Sequence, residues 1–204
     1  MSRKKHWEQV YSNKTPLEVS WFQNEPSLSL QLINESGIDK TAAIIDIGGG
    51  ASRLVDHLLE QAYHNLAVLD LSSSAIQHAQ TRLGELQSQV EWFVEDITEF
   101  TPSRKFDLWH DRAVFHFLTE ASDREQYKQC LQQGLMSGGH LIIATFALGG
   151  PEKCSGLDIV QYDANKISAE LGDSYQLLDV HYELHITPAE KQQKFNYFHF
   201  KKIR

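Results

Sequence analysis

The stretch Ile44-Ile45-Asp46-Ile47-Gly48-Gly49-Gly50-Ala51-Ser52 places a carboxylate near the end of an apolar run, just ahead of three glycines. A second apolar run, Leu66-Ala67-Val68-Leu69, ends on Asp70, twenty residues after Gly50. Two strands that each end in an acid, the first followed by glycines, describe a nucleotide-type pocket at the carboxyl edge of a parallel sheet. Gly48 and Gly50 let the backbone turn sharply and let a ligand approach without a Cβ in the way. A dinucleotide fingerprint would require a third Gly or Ala at position 53 for close helix–strand packing. The chain has Arg53 there. Asp46 also stands where it would repel a pyrophosphate; it suits a ligand with cationic groups, such as an ammonium and a sulfonium. Asp70 fits a ribose, because a carboxylate can accept from both hydroxyls. These arguments oppose an NAD-dependent oxidoreductase.

On these residues the chain resembles the class I S-adenosylmethionine-dependent methyltransferases, whose first motif reads roughly D-x-G-x-G-x-G. Asp46, Gly48 and Gly50 match it, and Ser52 stands at the last glycine position. The resemblance implies S-adenosylmethionine as cofactor, held by Asp46, Gly48, Gly49, Gly50, Asp70 and Leu71. In Val94-Glu95-Asp96-Ile97 it implies that Asp96 accepts from the adenine amine and that Ile97 gives a backbone amide and an apolar wall. In His110-Asp111-Arg112-Ala113-Val114-Phe115-His116-Phe117 it implies a loop facing the methyl group, with His110 or Asp111 giving a backbone carbonyl to the ligand's ammonium. That block is similar to one shared by bacterial methyltransferases and eukaryotic protein-lysine methyltransferase-like proteins. Trp7-Glu8 with Tyr11, followed by Glu18-Val19-Ser20-Trp21-Phe22, is similar to the cap that in those proteins folds over the cofactor. Tyr11 and Trp21 are the candidate walls against its methionine end. The plainer readings stay open: Asp111 and Arg112 as a local ion pair, Phe115 and Phe117 as core, and the cap aromatics as anchors of an amphipathic arm.

The implied reaction is in-line displacement of a methyl group, in which alignment of the acceptor does most of the work. A base is needed only for an acceptor that binds protonated, and Asp111, His110 and His116 are the candidates. The acceptor itself is not legible. A small molecule is the first expectation, a protein lysine the second, and a non-catalytic cofactor-binding module the third. Cys154, in the glycine-rich segment after residue 146, is a possible nucleophile. His181, His185 and His199 read as surface residues, and no H-E-x-x-H or similar spacing predicts a metal.

The elements that must position these residues alternate between helix and strand. Apolar spacing predicts helices at 4–12, 26–36, 52–62, 74–87, 122–135 and 163–172. Strands are expected at 42–47, 65–70, 90–94, 106–110 and 140–146, with Gly138-Gly139 as a turn. Period-two alternation from Tyr175 to Ile186 and from Lys194 to Lys202, joined through Thr187-Pro188, predicts a terminal β-hairpin. The fold expected is a Rossmann-like, doubly wound α/β sheet of seven strands in the order 3-2-1-4-5-7-6. Strand 7 is antiparallel and helices lie on both faces. The whole of 1–204 reads as one methyltransferase domain: a helical cap at 1–37, a cofactor-binding core at 38–146, and a substrate loop, helix and hairpin at 147–204.

Composition bounds the partners. The chain has 204 residues, enough for a full core, and a formal charge of −8. No basic block exceeds Arg3-Lys4-Lys5, so a nucleic-acid partner is not expected. No apolar run reaches the ~20 residues of a membrane span. Met1 to Trp7 lacks a signal-peptide core, and two cysteines are too few for a disulfide framework. A cytoplasmic monomer or homodimer without membrane partners is the expectation.

Overall fold

The computed structural model describes residues 2–204. Helices α1 (Arg3–Asn13) and α2 (Ser27–Glu35) precede an alternation of β1 (Ile44–Ile47), α3 (Leu54–Glu60), β2 (Leu66–Asp70), α4 (Ser73–Leu83) and β3 (Val90–Val94). Then come β4 (Phe106–Arg112), α5 (Ala121–Gly134), β5 (Leu135–Phe146), α6 (Ala164–Leu171), β6 (Tyr175–Ile186) and β7 (Gln192–Lys202). A two-residue ladder, Lys153–Cys154 with Leu157–Asp158, stands apart from the main sheet.

The sheet order is β3-β2-β1-β4-β5-β7-β6, as expected from the sequence. The β1–β5 pairs are parallel, while β7 pairs antiparallel with both β5 and β6. Every residue of β1 and β2 is buried, because helices cover both faces of a parallel sheet. On one face α5 and α6 bring Tyr127, Leu131, Ile167 and Leu171 against Ile45, Trp109 and Ile143. On the other, α2 and α3 bring Leu32, Ile33, Leu54 and Val55 against Ile44, Val68, Leu108 and Ile142. Parallel strands with neighbouring registers line up their carboxyl ends. Thus Asp46 faces His110 and Val68, and Asp70 closes β2 one residue beyond Leu69.

Of the boundaries that differ from the sequence reading, three change where the chain turns. Strand β4 runs on to Arg112, so Asp111 and Arg112 are strand residues rather than loop residues. Strand β5 begins at Leu135, straight after α5. Residues 136–139, including the expected Gly138-Gly139 turn, form an excursion between the pairs Phe106↔Leu135 and Leu108↔His140. Helix α4 stops at Leu83, where Gly84 takes φ +58°, and a 3-10 turn carries the chain to β3.

Candidate functional site

A cleft opens at the carboxyl edge of β1, β2 and β4. It has two adjoining lobes, of about 740 Å³ and 530 Å³, that share Tyr11, Trp21, Gly48 and Arg112.

Asp70 lies in the larger lobe, 7% exposed. Its Oδ1 accepts from the Ser72 N–H at 2.8 Å and its Oδ2 from the Gly50 N–H at 3.0 Å. Burial lifts its carboxyl to about 6; the two amide bonds oppose that, and the charge of Asp46 adds to it. Gly50 is required here, since a Cβ would sit 2.7 Å from Asp70 Oδ2 and 2.8 Å from the Ala75 Cβ. Gly48 has φ +70°, its N–H donates to the Leu69 carbonyl at 2.7 Å, and a Cβ there would collide with the Val114 side chain. Its glycine is therefore demanded first by the backbone and by the turn after β4.

Asp46 lies in the smaller lobe, 4% exposed. Its Oδ1 meets His110 Nδ1 at 2.7 Å, and His110 Nε2 meets Ser29 Oγ at 2.9 Å. An ionised carboxylate only accepts, so this arrangement assigns the His110 proton to Nδ1 and lets Ser29 donate to Nε2. Asp46 Oδ2 is buried without any hydrogen-bond partner.

The roof comes from the segment before the sheet. Trp7 stands edge-on to Trp21 and Phe117, at centroid distances of 5.5 and 5.1 Å. Trp21 Nε1 donates to the Tyr11 hydroxyl at 3.1 Å. Burial, with the Asp70 charge, raises the Tyr11 phenol, so it stays protonated. The first residue and the middle of α1 are tied down. Glu8 accepts from the Ser73 N–H at 2.6 Å and the Ser74 N–H at 3.3 Å, at the N-terminus of α4. Partial burial would raise the Glu8 carboxyl, but the bonds from Ser74 and Ser73 outweigh it and lower it to about 2. Arg3 donates to Asp123 at 2.9 Å and pairs with Asp96 at 3.3 Å. Asp96 Oδ1 is occupied by Thr98, at 3.0 Å from its N–H and 2.8 Å from its hydroxyl. The basic Arg3 is thus a tie of the roof rather than a solvated tail. Leu71, Asp96 and Ile97 line the same lobe as Asp70.

The structure gathers Asp46, Gly48, Gly49, Asp70, Leu71, Asp96, Ile97, His110, Tyr11 and Trp21 around this cleft, with Gly50 bonded behind Asp70. It does not bring Asp111 or His116 there. Asp111 is fully buried on the other face of β4 from His110 and Arg112. Its Oδ1 accepts from the Val114 and Phe115 N–H groups at 2.9 and 3.3 Å, and its Oδ2 from the Tyr127 hydroxyl at 2.8 Å. It fixes the turn under the cleft, and burial raises its carboxyl to about 6 against those bonds. His116 is packed among Phe117, Phe146 and Phe195, and its Nε2 has no partner. Burial, then the charge of Arg112, lowers it to about 3. Cys154 does line the cleft, but burial holds its thiol up at about 11, which does not suit a nucleophile.

The hairpin histidines also differ from expectation. His185 and His199 are each 6% exposed. His185 meets the Ser20 carbonyl at 2.8 Å, and His199 meets His140 at 2.8 Å. Sequence reasoning missed Arg112, which is not paired with Asp111. It stacks 4.6 Å from the Phe195 ring and donates to the Tyr197 hydroxyl at 2.7 Å, the Trp21 carbonyl at 2.9 Å and Glu183 at 3.4 Å. Gln23 donates to the same Glu183 at 2.8 Å. Arg112 therefore joins the roof to the hairpin. Its sequence signal, a cation inside a strand that ends at the cleft, has meaning only once the hairpin is placed beside it.

A sheet of this order with acids at the ends of β1 and β2 defines the class I S-adenosylmethionine-dependent methyltransferase architecture. The family model described as a methyltransferase domain matches residues 45–141. Malonyl-[acyl-carrier protein] O-methyltransferase 2 of Ilyobacter polytropus is 26% identical over 160 residues, 76% of this chain and 59% of that protein. EEF1A lysine methyltransferase 2 of Danio rerio is 26% identical over 143 residues, 63% of this chain and 60% of that protein. The chain thus spans about three fifths of the length of these relatives. Among solved structures, the N-methyltransferase NodS from Bradyrhizobium japonicum, in complex with S-adenosylhomocysteine, superposes with a TM-score of 0.71 at 17% identity, covering 98% of each chain. Together these findings show a Rossmann-like methyltransferase fold and a similarity to methyltransferase domains over residues 45–141.

Two outcomes follow from the geometry. Glu8→Ala removes an acceptor from the N-terminus of α4 and costs ~1 kcal/mol, as capping losses do. A carboxylate with a depressed folded pKa contributes above its unfolded value near 4.5 and loses that contribution as pH falls toward about 2. Denaturation of both chains at pH 7 and again near pH 3 will show the gap closing. For Asp111 the sign is opposite. Its folded pKa is raised, so its contribution declines as pH climbs from ~4 to about 6. Asp111→Asn keeps the acceptor for Val114 and Phe115, gains stability relative to the parent over that window, and leaves cofactor affinity within ~2-fold. A large loss of affinity on calorimetry would return Asp111 to the cleft.

Proposed function

We propose that this domain binds S-adenosylmethionine in the two-lobed cleft and transfers its methyl group to a small-molecule acceptor. The observation that carries the reading is the pair of buried carboxylates, Asp46 and Asp70, at the ends of adjacent strands around the Gly48–Gly50 turn, with Asp46 Oδ2 left unpartnered. A buried anionic oxygen without a donor is costly. A ligand ammonium would satisfy it.

The residues present fit that cofactor. Asp70 accepts from the ribose hydroxyls, and Leu71, Ile97 and Val114 wall the adenine. Asp96 Oδ2, shared with Arg3, would accept from the adenine amine. Asp46 takes the ammonium, oriented by the proton on His110 Nδ1 and, through it, by Ser29. Tyr11 and Trp21 close over the methionine end and exclude water. When bound, the cofactor supplies a methyl group already activated by a sulfonium. The chain's own contribution is then alignment of the acceptor, worth ~7–11 kcal/mol in favourable cases. Of the three candidate bases only His110 lines the cleft, and it could serve an acceptor that arrives protonated only by giving up its Ser29 bond at Nε2.

The domain division supported by this reading is a cap over 1–37, a core over 38–146 and an acceptor-side segment over 147–204. An acceptor other than a lysine side chain is supported by the Ilyobacter relative, whose name gives a malonyl group on acyl-carrier protein. A protein-lysine acceptor is the second reading, supported by the Danio rerio relative. A cofactor-binding module without turnover is the third. No helix among the described residues is long and apolar enough to cross a membrane. A cytoplasmic setting is proposed from the two unpaired cysteines, Cys130 and Cys154. An acidic chain with no basic block supports the absence of a nucleic-acid partner.

Thermal shift with S-adenosylmethionine, S-adenosylhomocysteine and NAD tests the cofactor, because a ligand of the folded state raises apparent stability. The first two should stabilise and NAD should not. Asp70→Ala should weaken S-adenosylmethionine ~100-fold, through the loss of charge-assisted hydrogen bonds of about 1.5–3 kcal/mol each. Unchanged affinity would remove Asp70 from the ribose. Label from methyl-tritiated cofactor in a cell extract should pass an ultrafiltration membrane. Label retained as methyl-lysine would favour the second reading, and no transfer at all the third.

A further inference from the structure

The strand β6 carries a feature that the cleft does not use. It is twelve residues long, lies at the end of the sheet and pairs with β7 alone. Of the eleven large apolar side chains left exposed among the described residues, five belong to it: Leu178, Val180, Tyr182, Leu184 and Ile186, between 41% and 57% exposed. Val180, Tyr182, Leu184 and Ile186 alternate on one face, and Leu178 sits beside them at the register shift between Leu177 and Asp179. Single exposed apolar residues are ordinary, whereas a contiguous row of them marks an interaction surface. The strand holds no Lys, Arg or Pro, the usual blunting devices of a free edge. The opposite edge differs: β3 has five residues and carries the Glu91–Arg104 ion pair at 3.0 Å.

We propose that β6 pairs antiparallel with β6 of a second copy, about a two-fold axis at Tyr182, so that two sheets of seven strands become one continuous sheet. The charge pattern selects this occupant and this register. A two-fold axis normal to the sheet sets each residue against the one equally far on the other side of the axial residue. With Tyr182 on the axis, Val180 meets Leu184 of the second copy, Leu178 meets Ile186, and Tyr182 meets its own equivalent. His181 then faces Glu183, and Asp179 faces His185. Every exposed apolar residue of the strand has an apolar partner and no acid faces an acid, while Glu183 stays on Arg112 and His185 on the Ser20 carbonyl of their own chain. Neighbouring registers fail this test. An axis at His181 sets Asp179 against Glu183, and one at Glu183 sets two Glu183 side chains together. An axis at Val180 leaves Leu184 and Ile186 opposite Gln176 and Ser174. Like charges directly across a ladder destabilise it, while aromatic, aliphatic and opposite-charge pairs stabilise it.

Sedimentation equilibrium tests the association and cross-linking tests the register. The parent chain should sediment at twice the chain mass. Tyr182→Lys should sediment as a monomer with unchanged circular dichroism and an unchanged cofactor thermal shift, because Tyr182 lies outside the cleft. Under mild oxidation Tyr182→Cys should give a disulfide-linked dimer. Val180→Cys alone should not, and Val180→Cys combined with Leu184→Cys should. The native Cys130 and Cys154 are buried and should give little background. A parent chain that sediments as a monomer, a dimer that survives Tyr182→Lys, or cross-linking through Val180→Cys alone would each overturn the proposal.

Discussion

Two acids that must both stay buried govern this molecule. Asp46 and Asp70 end adjacent parallel strands, and both lie almost wholly out of water. An isolated buried carboxylate is expensive. The surrounding structure supplies each with donors: two backbone N–H groups for Asp70, and the ring of His110 for one oxygen of Asp46. The glycine turn exists on those terms, since a Cβ at Gly50 would push against the Asp70 carboxylate. What remains unsatisfied, Asp46 Oδ2, is what a cationic ligand would complete.

The second constraint is mechanical. The roof over the cleft is made from chain that precedes the sheet, and it is fastened on two sides. Glu8 and Arg3 tie α1 to the α4 N-terminus and to the loop after β3. Arg112, Glu183 and His185 tie residues 20–23 to β4 and the terminal hairpin. The roof of the cleft and the hairpin are thereby one connected hydrogen-bonded unit. An acceptor entering near Trp21 would meet side chains contributed by the first and the last segments of the fold.

Much of this was legible in the sequence. The strand-ending acids, the glycines between them and the alternation of apolar runs led to the sheet order and to residues that line the cleft, Asp46, Asp70, Asp96 and Ile97. Those signals are local, and each follows from a backbone or charge requirement. What sequence reasoning misassigned depends on which face a residue meets. Alternation alone placed His185 and His199 at the surface, but β7 is flanked by β5 and β6, and residues 20–23 cover His185 from the cap side. The direction of Asp111 turns on one extra pair of residues in β4: once the strand reaches Arg112, alternation sends His110 and Arg112 to the cleft and Asp111 to the opposite core. Cys154 has the right position and the wrong ionisation, because burial keeps it a thiol.

Proton release on cofactor binding tests the central claim most directly. If the cationic donor is received by ionised carboxylates, and burial holds Asp70 at about 6 in the free protein, binding at pH 6 must displace a proton. Calorimetry of S-adenosylmethionine in two buffers of different ionisation enthalpy should show roughly half a proton released at pH 6 and about a tenth at pH 7, below the ~8 at which the ligand's own α-amino group titrates. Binding of equal strength at both pH values with no proton exchanged would contradict the account.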